Sequence, residues 1–271
     1  RFFSVVMSSL TVMILFMIGF QLSKSLVTAG LAALLLFVNP VFQSYARIVS
    51  LEVPLLLLGS LFVLFSLKYA SSRSLKNYLG VVLSFALLVG TRYNGVLLLP
   101  FFYLLLFKYW VNSGNKGDRR NMIILKEILM PALSLFVLII VWPYLWHSPV
   151  SGILESADRG LEVHTREFFL GNLGNATWYY YISYFIVKTN LVLLVVSVIG
   201  VLGIFIGLGD LKKQRILILL FILPFVASFL PLKQDGLRYI NLYLIGFSLV
   251  CAFGWIGIIG SIRKIGIRIL I

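Results

Sequence analysis

Polar and apolar positions alternate along this chain in long blocks. Nine apolar stretches cover 3–20, 26–42, 53–68, 78–90, 93–108, 122–145, 189–208, 214–231 and 239–260, separated by short polar gaps. A helix that crosses a hydrocarbon core of about 30 Å needs roughly 20 mostly apolar residues. The pattern therefore predicts an all-α, polytopic transmembrane bundle of about nine spans. The fourth and fifth stretches are short and meet at Gly90-Thr91-Arg92-Tyr93-Asn94-Gly95, which predicts half-length or strongly tilted helices there.

The gap at 146–188 is unlike the others, being long and polar, with an aromatic run at Trp178-Tyr179-Tyr180-Tyr181. Within it, Ile153, Leu154, Ala157, Leu161 and Val163 recur with helical spacing, predicting an amphipathic helix over 152–163 that lies at the interface. The aromatic run is expected to anchor a span at headgroup level. The chain thus reads as a single membrane domain over 1–271 with one external insertion at 146–188.

Composition agrees: 61% of residues are hydrophobic and the mean hydropathy is +1.03, against about 45–50% apolar residues in a soluble domain. The net charge of +14 acquires meaning from its placement. With edge residues counted to the nearer gap, fifteen of the 23 Lys and Arg residues lie in the odd gaps and the C-terminal tail, and seven in the even gaps. Under the positive-inside rule the odd gaps and C-terminus are cytoplasmic. The basic excess is a topology signal and a contact for anionic lipid, not a nucleic-acid footprint. Six of the nine carboxylates (Glu52, Glu155, Asp158, Glu162, Glu167 and Asp235) fall in the external gaps, which places any chemistry outside. The single Cys251 allows no intrachain disulfide.

Candidate chemistry collects at the external mouths. Glu52 stands just before Pro54 at the start of the third stretch, beside an expected helix N-terminus that favours a carboxylate. Two readings are open: an interfacial acid that caps a span, or a carboxylate facing an outer cavity. Arg47, five residues earlier, is not its simple helical neighbour. Arg92 and Tyr93 occupy a glycine-flanked turn, and Arg92 is either a snorkelling anchor or a fork for phosphate. Lys233, Arg238 and Tyr239 form the last external loop, where two cations either anchor the interface or hold a lipid-linked phosphate. His147, His164 and Glu167 include an H-x-x-E spacing without a second ligand pair, so no metal site is assigned. Asn175-Ala176-Thr177 is an N-x-T sequon close to the membrane.

The run Ser44-Tyr45-Ala46-Arg47 through Ser50-Leu51-Glu52-Val53-Pro54-Leu55 resembles the second acidic motif of the polytopic GT-C glycosyltransferases, in the protein mannosyltransferase and aminoarabinose transferase group. Other landmarks occur in the same order as in that family. They are Arg1 and Ser4 through Leu10-Thr11-Val12, then Asn39-Pro40, then Gly90-Thr91-Arg92-Tyr93-Asn94-Gly95 to Pro100. The aromatic run leading to Lys188 follows, and Arg238-Tyr239 closes the set. The resemblance implies transfer of a sugar from a polyprenyl-phosphate donor to a lipid, glycan or protein acceptor at the non-cytoplasmic face. It implies a plasma-membrane location, with Glu52 as the catalytic candidate, the second acid that shapes the site or binds the acceptor or a metal, and with Arg47, Arg92, Tyr93, Lys233, Arg238 and Tyr239 toward substrate. In the family the general base is an Asp in the first outer loop, before the span that opens this sequence, so the expectation is either a truncated copy lacking it or a base that lies elsewhere. No cofactor is assigned, and dependence on a divalent metal is left open. The rival function is a transporter or flippase for a lipid-linked substrate. Charges at the span edges and the absence of an evident repeat favour chemistry at the surface over passage.

Overall fold

The computed structural model describes residues 1–112, 117–161, 167–169, 171–174, 178–205, 211–229 and 237–269. Within the described residues each of the nine apolar stretches is largely helical, but they are not nine equal spans. The chain opens with α1 (Phe2–Ser23), then α2 (Leu26–Phe37), α3 (Pro40–Ala46), α4 (Glu52–Ser72) and α5 (Leu75–Thr91). A 3-10 turn (Tyr93–Leu98) leads into α6 (Leu99–Asn112), followed by α7 (Gly117–Ile128) and α8 (Met130–Val141). Beyond these come α9 (Pro149–Leu161), α10 (Tyr180–Lys188), α11 (Leu191–Phe205), α12 (Leu211–Ile222), a second 3-10 segment (Leu223–Phe229) and α13 (Tyr243–Ile269).

Among the described residues, three helices are long and apolar enough to cross a membrane (Phe2–Ser23, Glu52–Ser72 and Tyr243–Gly260), or five if each of two bent pairs counts as one span. Several of the nine apolar stretches are thus shorter or bent within the described residues, and local chemistry accounts for the breaks. Asn39 accepts from the amides of Val41 (2.9 Å) and Phe42 (3.4 Å), starting α3 afresh at Pro40 and bending the second stretch by 65°. Pro131, in the first turn of α8, ends the continuity expected across 122–145. At 17 residues, α5 reaches about 25 Å, short of a perpendicular crossing.

Lipid-facing and inward-facing positions separate cleanly on α11. Leu191, Val195, Val198 and Leu202 are exposed, whereas Leu193, Ser197, Gly200 and Ile204 turn inward. Its exposed stripe is as apolar as its buried one, the arrangement expected when lipid is the solvent. Burial is deepest on α4 and α13, with 67% and 61% of their apolar windows inside the bundle against 39% for α1. Around α13 the rings of Phe221, Phe225, Tyr243 and Phe247 surround Phe185 at centroid distances of 5.3 to 5.9 Å, tying α10, α12 and α13 together.

The 146–188 segment carries α9, close to the helix expected at 152–163; residues 162–163 lie outside the described set. One element was not anticipated. Strands β1 (Glu167–Phe169) and β2 (Asn172–Gly174) pair antiparallel, with Gly171 at φ 85° in the tight turn between them. The aromatic run is divided rather than wholly interfacial: Trp178 is 60% exposed, while Tyr180 and Tyr181 are fully buried. At the end of α4 remote from Glu52, Arg73 pairs with the buried Glu127, and the Tyr78 hydroxyl donates to the Lys126 carbonyl at 2.6 Å. These contacts clamp α7 onto α4 and α5.

The α11–α13 contact depends on two glycines, because a Cβ at Gly254 would collide with the backbone of Gly200. Gly254→Ala is expected to destabilise the fold by about 1–3 kcal/mol through overpacking. A thermal-unfolding midpoint in detergent equal to that of wild type would refute this.

Candidate functional site

Three segments remote in sequence meet at the end of the bundle where α4 begins. Glu52 is the first residue of α4, with Pro54 following in the same turn, as expected for a carboxylate at a helix N-terminus. Its burial was not expected: only 2% of the side chain is exposed. Arg92 caps the C-terminus of α5 in an extended conformation that turns its side chain away from the helix axis. Arg238 and Tyr239 precede α13 in a short run of turns.

The Arg92 Nη2 lies 3.1 Å from Glu52 Oε1, and the Arg238 Nε lies 3.5 Å from the same oxygen. Although 3.1 Å would suit a hydrogen bond, no donor is aligned on Oε1, so the contacts are ion pairs held by Coulomb attraction. Arg92 Nη1 also donates to the Arg238 carbonyl at 3.2 Å, and its guanidinium sits over the Tyr239 ring, 5.0 Å from the centroid. Asn94 Nδ2 donates to the Tyr239 carbonyl at 2.5 Å, and the rings of Tyr93 and Tyr239 are 6.0 Å apart. The glycine-flanked turn and the segment before α13 are thus bolted together by two ion pairs to the shared Glu52, two side chain to backbone bonds and two ring contacts.

Of the residues singled out from sequence, Glu52, Arg92, Tyr93, Arg238 and Tyr239 come together. Arg47 does not join them; it ends α3 and lines a separate cavity between α1 and α3. Lys233 lies outside the described residues, as does His164. Sequence reasoning missed Asn94 as a site residue. Its signal was available, since it sits inside the same turn motif, yet a neutral amide is noticed only when its partner carbonyl, 145 positions away, is known. Among the described residues there is no group of three or more His, Cys, Asp or Glu side chains that could hold a metal ion.

Chemically, the cluster is a buried carboxylate that fixes two guanidinium groups. Arg92 is mostly covered (18% exposed), whereas Arg238 keeps 43% of its side chain open. Such an arrangement presents preorganised donors to an anion arriving at the mouth, with their orientation set beforehand by Glu52. The carboxylate itself, enclosed and engaged twice, suits holding cations better than reaching a proton on an incoming molecule.

A second feature follows the cluster along the chain. The 3-10 turn that starts at Tyr93 forms one wall of an open apolar cavity of about 590 Å³, lined among others by Val96, Leu97, Pro100, Leu104, Leu223 and Val226. Cations and groove are linked by one continuous stretch of chain.

Glu52→Ala strands a largely covered Arg92, at a cost of about 3–5 kcal/mol; Arg238→Ala removes a half-open partner, at about 1 kcal/mol or less. The unfolding midpoint of the first variant is therefore expected to fall well below that of the second. The reverse order would contradict the hub role of Glu52.

A family model described as Dolichyl-phosphate-mannose-protein mannosyltransferase matches residues 1–147. The match spans Glu52, Arg92, Tyr93 and Asn94, and ends before Arg238 and Tyr239. No curated protein and no solved structure matches the chain.

Proposed function

Because this chain belongs to the dolichyl-phosphate-mannose-protein mannosyltransferase family, a family of membrane glycosyltransferases that draw sugar from a polyprenyl-phosphate carrier, we propose that Glu52, Arg92 and Arg238 form the seat for the carrier's phosphate during transfer. In the reaction the bond between the anomeric carbon and the phosphate oxygen breaks as a bond to an acceptor oxygen forms. Negative charge grows on the departing polyprenyl phosphate, and guanidinium groups already in place stabilise it without reorganising. The observation that carries this reading is the convergence of both arginines on one carboxylate oxygen, at 3.1 and 3.5 Å.

The groove beside Tyr93 supports the same reading, since an isoprenoid tail can lie among Val96, Leu97 and Leu104 while its head stays at the arginines. Glu52 acts here as a positioning residue. The acceptor's proton passes to a different carboxylate, because Glu52 is enclosed by its two partners. The acceptor is a hydroxyl-bearing lipid, glycan or protein, and transfer takes place at the non-cytoplasmic face, as the charge bias of the gaps implies. Lys233 is assigned to the same phosphate on sequence grounds alone.

The test uses the full-length protein in vesicles, with a radiolabelled polyprenyl-phosphate sugar. Arg92→Ala and Arg238→Ala are each expected to lower turnover about 100-fold or more, with Arg92→Lys recovering only part of it. Leu104→Trp is expected to raise the KM for a long-chain donor more than for a short-chain one. Turnover undiminished in both arginine variants would remove the cluster from the mechanism. Movement of labelled lipid across the bilayer with no sugar transferred would replace the transferase with a carrier.

A further inference from the structure

Arg47 stands apart from the Glu52 cluster, and its surroundings have a chemistry of their own. It lies at the rim of a cavity of about 370 Å³ between α1 and the bent end of the second stretch, a size within the usual range for small-molecule sites. Val5, Val12, Phe37 and Phe42 make the walls. Val5 and Phe37 are each 54% exposed, so the cavity opens at the surface of the described bundle.

The neutral polar groups of this cavity are already occupied. The hydroxyls of Ser8 and Ser9 donate to the carbonyls of Ser4 (2.7 Å) and Val5 (2.9 Å), and Gln43 Nε2 donates to the Phe37 carbonyl at 2.6 Å. Arg47 alone brings charge to the cavity; it is exposed, and among the described residues it has no ion-pair partner. An arginine that merely snorkels needs no hollow beneath it. A largely apolar chamber with one guanidinium in its lining is complementary to an amphiphile with an anionic head.

We propose that this cavity binds an anionic phospholipid, with an acyl chain between α1 and α3 and the phosphate on Arg47. The site is separate from the donor seat, and the proposal does not rest on the transferase reading.

The experiment places the full-length protein in phosphatidylcholine nanodiscs containing a photo-crosslinkable phosphatidylglycerol or a phosphatidylcholine probe of equal chain length, and maps labelled peptides by mass spectrometry. The phosphatidylglycerol probe is expected to label α1 and α3 about five-fold more than the phosphatidylcholine probe. Arg47→Gln is expected to reduce its labelling to the phosphatidylcholine level, and Val12→Trp to remove labelling by both. Arg92→Gln, at the other site, is expected to leave the pattern intact, and excess inorganic phosphate not to compete. Should Val12→Trp fail to elute as a monodisperse protein, Ser9→Trp, at a more exposed point of the same wall, takes its place. Equal labelling by the two probes in wild type would overturn the proposal, as would labelling insensitive to both Arg47→Gln and the tryptophan. Full competition by phosphate would also overturn it, marking a site for the free ion instead.

Discussion

A carboxylate that is almost completely removed from solvent cannot stay charged without cations beside it. Uncompensated, the burial of Glu52 would cost several kcal/mol. Two guanidiniums from opposite parts of the chain, Arg92 and Arg238, meet that requirement on one oxygen. Their approach in turn dictates how α5 ends, how the segment before α13 turns, and where the aromatic pair Tyr93 and Tyr239 comes to rest. Backbone carbonyls of Arg238 and Tyr239 accept from Arg92 and Asn94, so the arrangement is locked at main-chain level as well. Preorganisation of the candidate phosphate seat is thus a by-product of solving a solvation problem.

The bilayer sets the second constraint. In lipid every backbone group must be satisfied within the protein, so helices carry the crossing and breaks are confined to protected places. Here the breaks fall at polar side chains able to restart a helix, as Asn39 does for α3, or where prolines forbid continuation, as at Pro131 and Pro143. Hence long, deeply packed α4 and α13 stand beside shorter helices such as α5 and α8. The broken segments also carry the candidate features: the turn between α5 and α6 provides Arg92, Tyr93 and Asn94, and Phe37 and Phe42, on either side of the bend at Asn39-Pro40, line the cavity that includes Arg47.

The two cavities share a design and differ in charge. The groove that follows the Tyr93 turn along the chain is apolar, while the arginines gather on Glu52. Between α1 and α3 the single cation belongs to the cavity itself. The first arrangement fits a carrier whose phosphate is the leaving group; the second fits a resident lipid. Separating them sets Arg47 apart from the group in which the family resemblance had placed it.

Read alone, the sequence determined the class of molecule. Block-wise hydropathy requires lipid as solvent, helical spacing supplies the bundle, and the ordered motifs from Arg1 to Tyr239 point to the family that the match over 1–147 establishes. Glu52 beside Pro54 was legible as a helix start because local capping chemistry depends on neighbours a few residues away. The tertiary structure decided what depends on distance in space. It set which apolar stretches are long enough to cross, that Glu52 is buried rather than facing solvent, that Asn94 belongs with Arg92 and that Arg47 does not, and that Tyr180 and Tyr181 sit in the core. Hydropathy reports how much apolar surface a segment carries. Only packing against other segments determines which side of each helix meets lipid, protein or a charged partner, and that is a property of pairs separated by up to 146 positions.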